Sequence, residues 1–225
     1  MEVTIELSLK SNIAFRFLDA AVEFSSKANL FEKENKIIKD DYYHYVISSI
    51  ILSVSFLEAN INELYSRIAD KDLNLKNDDV IISLWSRGIP RTARYSILDK
   101  YEILLDVVGA TKLDTSRNPY QNITALIKLR NALVHFEPEW TRINEAIKKE
   151  SSLEKLLKGK FLLSPYWNEK TQPFFPYVCL SAGCSYWAVK SSAGFIEEYY
   201  KLLNIEMPSK KILSNIFNKI YKISV

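Results

Sequence analysis

The clearest pattern in the chain runs from about Asp41 to Ala69, where Ile47, Ile50, Val54, Leu57, Ile61, Leu64 and Ile68 follow one another at spacings of three and four. That period predicts a long amphipathic helix with one continuous apolar face. Ser49, Ser53, Ala59 and Asn60 occupy its other sectors and are small enough for a second helix to approach closely. Upstream, Ser11 to Glu34 repeats the period, with Phe15, Leu18, Ala21, Val22 and Ser25 on one face. The first ten residues alternate Val3, Ile5, Leu7 and Leu9, a pattern that suits an isolated strand or an ordered arm.

Further along, a short helix is expected at Val80 to Ser86 and another from Thr92 to Val108, stopped by Gly109. Asn118 as an N-cap and Pro119 as a first helical residue open a helix that runs to about Phe136. Pro138 ends it, because the residue before a proline is pushed out of the α conformation. Helices from Pro138 to Leu157, Ser181 to Leu203 and Lys210 to Lys222 complete the set, the last with Ile212, Leu213, Ile216, Phe217 and Ile220 on one face. Phe161 to Pro176 carries three prolines with Trp167, Phe174 and Phe175, so it reads as an aromatic-rich loop packed over a bundle, too apolar for a linker.

Composition agrees with this reading. Five glycines and seven prolines in 225 residues supply few of the turns an all-β chain needs. The expected fold is all-α, one domain over 1–225, with a bundle core at about 41–204 and a C-terminal helix, 205–225, packed on it. The N-terminus lacks the basic and apolar regions of a secretory signal. The apolar stretch from Tyr45 to Leu57, broken by Ser48, Ser49, Ser53 and Ser55, is too short to span a bilayer. A cytoplasmic protein without membrane contact is the resulting expectation. Cys179 and Cys184 are then expected to stay as buried thiols.

No cofactor is expected and no metal. Two cysteines with His44 and His135 do not make a tetrahedral zinc set, and nothing singles out a carboxylate-bound magnesium site. A net charge of +3 excludes a global basic field, so any RNA contact has to come from a local patch. The candidates are Arg87, Arg91 and Arg94, near Trp85 and Tyr95, together with Lys128 and the run Lys210, Lys211, Lys219 and Lys222; a solvated surface is the alternative for each group.

The helix from Pro119 to Phe136 carries the most chemistry. At about 100° per residue, Ile123, Leu126, Ile127, Leu133 and Val134 share an arc, and Arg130 falls in the middle of it. A charge on an apolar stripe is costly unless it is paired or faces a polar cavity. Thr124, Lys128, Asn131 and His135 form a second, polar sector. Five positions separate Arg130 from His135, hence about 140° around the axis and roughly 7.5 Å along it, so they cannot grip one small group from the same side of a straight helix. Convergence needs long side chains that reach around, or a second copy of the helix related by a twofold axis. His135 sits in the last helical turn, where the dipole favours a cation and an imidazole can hold or donate a proton near neutral pH.

Arg130-Asn-Ala-Leu-Val-His135 resembles the signature of HEPN domains, an arginine followed by a polar residue, three more residues and a histidine on a bundle helix. The preceding helix with Phe56-Leu-Glu-Ala-Asn-Ile-Asn-Glu-Leu64 and the following one with Cys184-Ser-Tyr-Trp-Ala188 extend the resemblance over about 41–204. It implies a helical bundle that dimerises with the motif helices near the twofold axis, and a metal-independent endoribonuclease, as in toxins and antiviral effectors. By the same resemblance His135 is general acid or base, Arg130 stabilises charge on the phosphate, and Asn131 orients His135 or bonds the phosphate. Glu58 and Asn62, at i and i+4, are candidates to orient Arg130, with an ordinary surface role as the alternative. RNA, a second copy of the chain, and an antitoxin or regulatory protein are the implied partners. In HEPN toxins silenced by a nucleotidyltransferase a tyrosine follows two positions after the histidine; here Glu137 stands there. A non-catalytic dimer that binds nucleotide, RNA or protein, with Arg130 as a structural ion pair, is the competing reading. A purely structural bundle would make the motif a coincidence.

Overall fold

In a computed structural model that describes residues 11–34, 40–89, 95–138 and 150–207, the chain folds as an all-α bundle. Among the described residues there are seven α-helices: α1 (Ala14–Lys33), α2 (Asp40–Ala69), α3 (Asp78–Ser86), α4 (Ile97–Val108), α5 (Tyr120–Val134), α6 (Ser152–Leu157) and α7 (Ala182–Leu202). A single π-turn, Phe174–Val178, interrupts the aromatic loop before α7. The expected N-terminal strand or arm, the helix from Lys210 to Lys222 and its lysines, and both Arg91 and Arg94 lie outside the described residues.

The helix α2 is the central element, packed against α1, α3, α4, α5 and α7. Its stripe of Ile50, Val54, Leu57, Ile61, Leu64 and Ile68 is fully buried, as the three-four spacing requires. Ile47, at the edge of that stripe, is only partly buried. The serines on its other sectors do what small residues allow: Ser49 and Ser53 are completely buried, and the Ser49 hydroxyl donates to the Ala21 carbonyl of α1 at 2.8 Å. Ser25 of α1 meets Ser185 of α7 at 3.0 Å, so three helices approach through hydroxyl contacts in place of bulky side chains. The serines that break the apolar run do not break the helix, so α2 is long and apolar enough to cross a membrane, contrary to the expectation for Tyr45 to Leu57. Half of that window is buried inside the bundle.

Helix ends follow local chemistry. Ile13, the cap residue of α1, has no side-chain acceptor, and Glu63 of α2 substitutes, its carboxylate accepting the backbone N–H of Ile13 at 2.6 Å and of Ala14 at 2.8 Å. The expected helix from Thr92 begins instead at Ile97, because Ser96 and Asp99 form a reciprocal capping box, and it ends at Gly109 in the left-handed conformation as expected. Of the helix expected from Pro138 to Leu157, residues 139–149 lie outside the described residues. Pro138, Glu150 and Ser151 are not helical, so no continuous helix spans that range, and Ser151 accepts from the Glu154 N–H at the start of the short α6.

Both cysteines are free and buried. Desolvation pushes the Cys179 thiol up to about 12 and raises Cys184 well above the usual thiol range. Neither has the thiolate character a nucleophile needs.

Candidate functional site

Helix α5 starts one residue later than its sequence suggests. Pro119, not Asn118, is the cap residue, and it offers no side-chain acceptor, so the entry relies on backbone bonds from Gln121 to Arg117 and from Ile123 to Pro119. The C-terminus is also shorter than expected. Val134 is the last helical residue and His135 is the cap, with φ −109° and ψ 39°, its N–H still bonded to the Asn131 carbonyl at 2.9 Å.

The buried face of α5 consists of Ile123, Ala125, Leu126 and Leu129. At about 100° per residue these centre on a direction some 70° away from Arg130. Arg130 therefore lies at the edge of the apolar face and not in its middle, with 23% of its side chain exposed. Val134, read as core, is half exposed. The difference arises because the neighbours of α5 lie on the side of Ala125 and Leu129, two positions whose small or unremarkable character hid the orientation of the helix.

At that edge Arg130 faces α2. Its Nη2 lies 4.0 Å from Glu58 Oε2, an electrostatic pair too long for a hydrogen bond, so Glu58 does not consume the guanidinium's donors. The other carboxylate oxygen of Glu58 accepts from Lys100 Nζ at 3.0 Å. Asn62 Oδ1, one turn further along α2, is 3.5 Å from the same ammonium. Four side chains from α2, α4 and α5 thus form one cluster with Glu58 between two cations.

Lys100 is only 3% exposed, the most deeply buried charge in this cluster. Sequence reasoning missed it; on α4 it flanks the apolar stripe of Ile97, Tyr101, Leu104 and Val108, three positions after Ile97 and four before Leu104. Aromatic hydroxyls fix its place. Tyr65 of α2 donates to the Lys100 carbonyl at 3.0 Å, Tyr101 donates to the Leu57 carbonyl at 2.7 Å, and Tyr199 of α7 donates to the Tyr101 carbonyl at 3.0 Å. Burial, with the nearby Tyr199, Tyr200 and Glu58, pushes the Tyr101 hydroxyl well above its usual range and keeps it a donor. The register between α2 and α4 is therefore held by bonds on both sides of the Glu58 and Lys100 pair.

His135, Asn131 and Lys128 stand apart from this cluster, all exposed on the outer side of α5. Beyond His135 the chain turns onto the aromatic loop, with the rings of Phe136 and Phe175 6.0 Å apart. Val134 and Phe136 each expose half of their surface, so His135 is flanked by apolar groups open to solvent. Arg87 caps α3, which packs on α2 and α4, and is exposed. Among the described residues no group of three or more histidine, cysteine, aspartate or glutamate side chains gathers in metal-binding range. A cavity of about 670 Å³ lies elsewhere, at the opposite end of α5.

The cluster can hold a guanidinium in a fixed direction, and the end of α5 can present an imidazole to a substrate from solvent. Within one copy the structure brings Arg130, Glu58, Asn62 and Lys100 together and leaves His135 and Asn131 outside that group. No model of a protein family, no curated protein and no solved structure matches this chain.

Proposed function

We propose that the chain is a metal-independent endoribonuclease of HEPN type that acts as a homodimer. The observation that carries this reading is the partly buried Arg130, oriented by Glu58 yet with its donors uncommitted among the described residues, five residues before an exposed histidine at a helix C-terminus. The likeness of Arg130 to His135 to the HEPN signature supports it. In the proposed reaction one His135 imidazole accepts the 2′-hydroxyl proton as that oxygen attacks phosphorus. The bond from phosphorus to the 5′-oxygen breaks, and an imidazolium donates a proton to the departing oxygen. Arg130 offsets the charge that builds on the phosphate oxygens, and Asn131 orients His135 or bonds the phosphate. The products are a 2′,3′-cyclic phosphate and a 5′-hydroxyl.

Incubation of the purified protein with total RNA in EDTA tests the chemistry. Cleavage should persist in chelator and leave cyclic phosphate ends. Activity that appears only with added magnesium or manganese would move the reaction to carboxylates and end this mechanism.

The exposed Val134 and Phe136 beside His135 support a dimer contact at the end of α5. Light scattering should give twice the 26.0 kDa chain mass. Aspartate at Val134 and Phe136 should yield monomers that lose cleavage. Fully active monomers would show that one copy assembles the site alone.

A second reading is favoured by the way Glu58 is shared between Lys100 and Arg130, which is also how a structural ion-pair network looks. There the protein is a non-catalytic dimer that binds nucleotide, RNA or a protein partner. It predicts no cleavage under any condition.

A further inference from the structure

We propose that the cavity between α1, the start of α5 and α7 binds a small planar aromatic anion, independently of the Arg130 region. The cavity holds about 670 Å³, within the size of small-molecule sites. Asn122 is the last residue of α5 on its wall, and Arg130 is eight positions on, roughly 12 Å along the helix. The two regions therefore share a helix but not a surface.

One wall is aromatic. Phe161 and Trp187 pack with ring centres 5.3 Å apart, and Tyr186 adjoins them on α7. Trp187 is 7% exposed, its ring forming part of this wall, and its indole N–H is buried without an acceptor among the described residues. Space is left beside it at Gly194, where an added Cβ would meet no atom within 4 Å.

The charged groups on the rim favour an anion. Lys33, Lys160 and Lys190 converge on the cavity against the single carboxylate of Glu32. Glu32 is already engaged, accepting from the Tyr42 hydroxyl and from the Ala182 N–H. Lys160 is held in place by a 2.8 Å bond to Asn122 Oδ1, and the Lys190 ammonium lies 5.9 Å above the Tyr186 ring. A flat ring against the aromatic wall with its acidic group toward the lysines satisfies both features; a cation is repelled by the lysines, and a neutral aliphatic molecule leaves them unpaired. Carboxylate, sulfonate and phosphate share this chemistry.

Anilinonaphthalene sulfonate is a suitable probe for the full-length folded protein, with uncharged phenylnaphthylamine as its neutral counterpart. Saturable one-to-one binding of the sulfonate is expected, followed by calorimetry and by its fluorescence. Lys160→Glu with Lys190→Glu should weaken the sulfonate by about tenfold or more while leaving the neutral compound unchanged. Gly194→Trp, which fills the open space, should remove both. Lys190→Glu alone changes only an exposed side chain, so it keeps the charge test valid even where Gly194→Trp fails to fold, and it should weaken the sulfonate alone. Absence of saturable binding overturns the proposal. So does equal affinity for the two compounds, which would leave an apolar cavity without anion preference, and so does binding that ignores the lysine variants. Each readout is independent of RNA cleavage, so the failure of one proposal leaves the other standing.

Discussion

Arg130→Ala and His135→Ala should each lower chelator-resistant RNA cleavage by about 10²- to 10⁴-fold while the protein stays folded. The structure separates activity from stability at both positions. His135 is exposed at the end of α5, and its backbone bond to Asn131 survives truncation of the side chain. Arg130 is paired with Glu58 only at 4.0 Å, and Glu58 keeps its 3.0 Å bond to Lys100 when the guanidinium is removed. No buried carboxylate is stranded, so a loss of about 1 kcal/mol or less is expected from the ion pair. Arg130→Lys should fail as well, because a point charge does not reproduce the planar fork that grips two phosphate oxygens. Thermal melts by circular dichroism beside the cleavage assay give the comparison. Parent-like cleavage by both alanine variants rejects the ribonuclease; folded parent protein that never cleaves favours the non-catalytic dimer.

The largest effect on stability is expected at Glu58. Glu58→Ala leaves the ammonium of Lys100, 3% exposed, with only the 3.5 Å approach of Asn62 and with Arg130 nearby. Removing one member of a buried pair costs about 3–5 kcal/mol in general. Because 44% of the Glu58 side chain reaches solvent, a loss of about 2–4 kcal/mol is more appropriate here. For a chain of this size that is a fall in melting temperature of roughly 5–15 °C. Adding Lys100→Met to Glu58→Ala removes the stranded charge while keeping an unbranched stem in the same space, and should recover most of the loss. If Glu58→Ala melts with the parent, Lys100 has access to water and the buried-pair account is wrong.

Much of the bundle is legible along the chain because each helix presents an apolar stripe, and a stripe is a property of spacing alone. The stripe of α2, the Gly109 stop and the face of α1 with Leu18, Ala21 and Val22 are all recovered in the structure. Boundaries are less secure where two local signals compete. Ser96 and Asp99 override the apparent start at Thr92, and Ser151 caps a helix that begins at Ser152 where the periodicity looks continuous. Both capping signals are present in the sequence, and they win because they satisfy backbone N–H groups that periodicity does not count.

Orientation is a different matter. The sequence by itself placed Arg130 among apolar residues, since its position on α5 follows from the helical period, whereas the burial of Lys100 on α4 was recognised only in the structure. Only the tertiary structure decided that the two cations share Glu58, that Arg130 sits at the edge of its helix's buried face, and that the start of α5 borders a cavity with Lys160 and Trp187. The physical reason is that a helix fixes angles among its own residues, whereas the direction in which its stripe points is set by the helices packed against it.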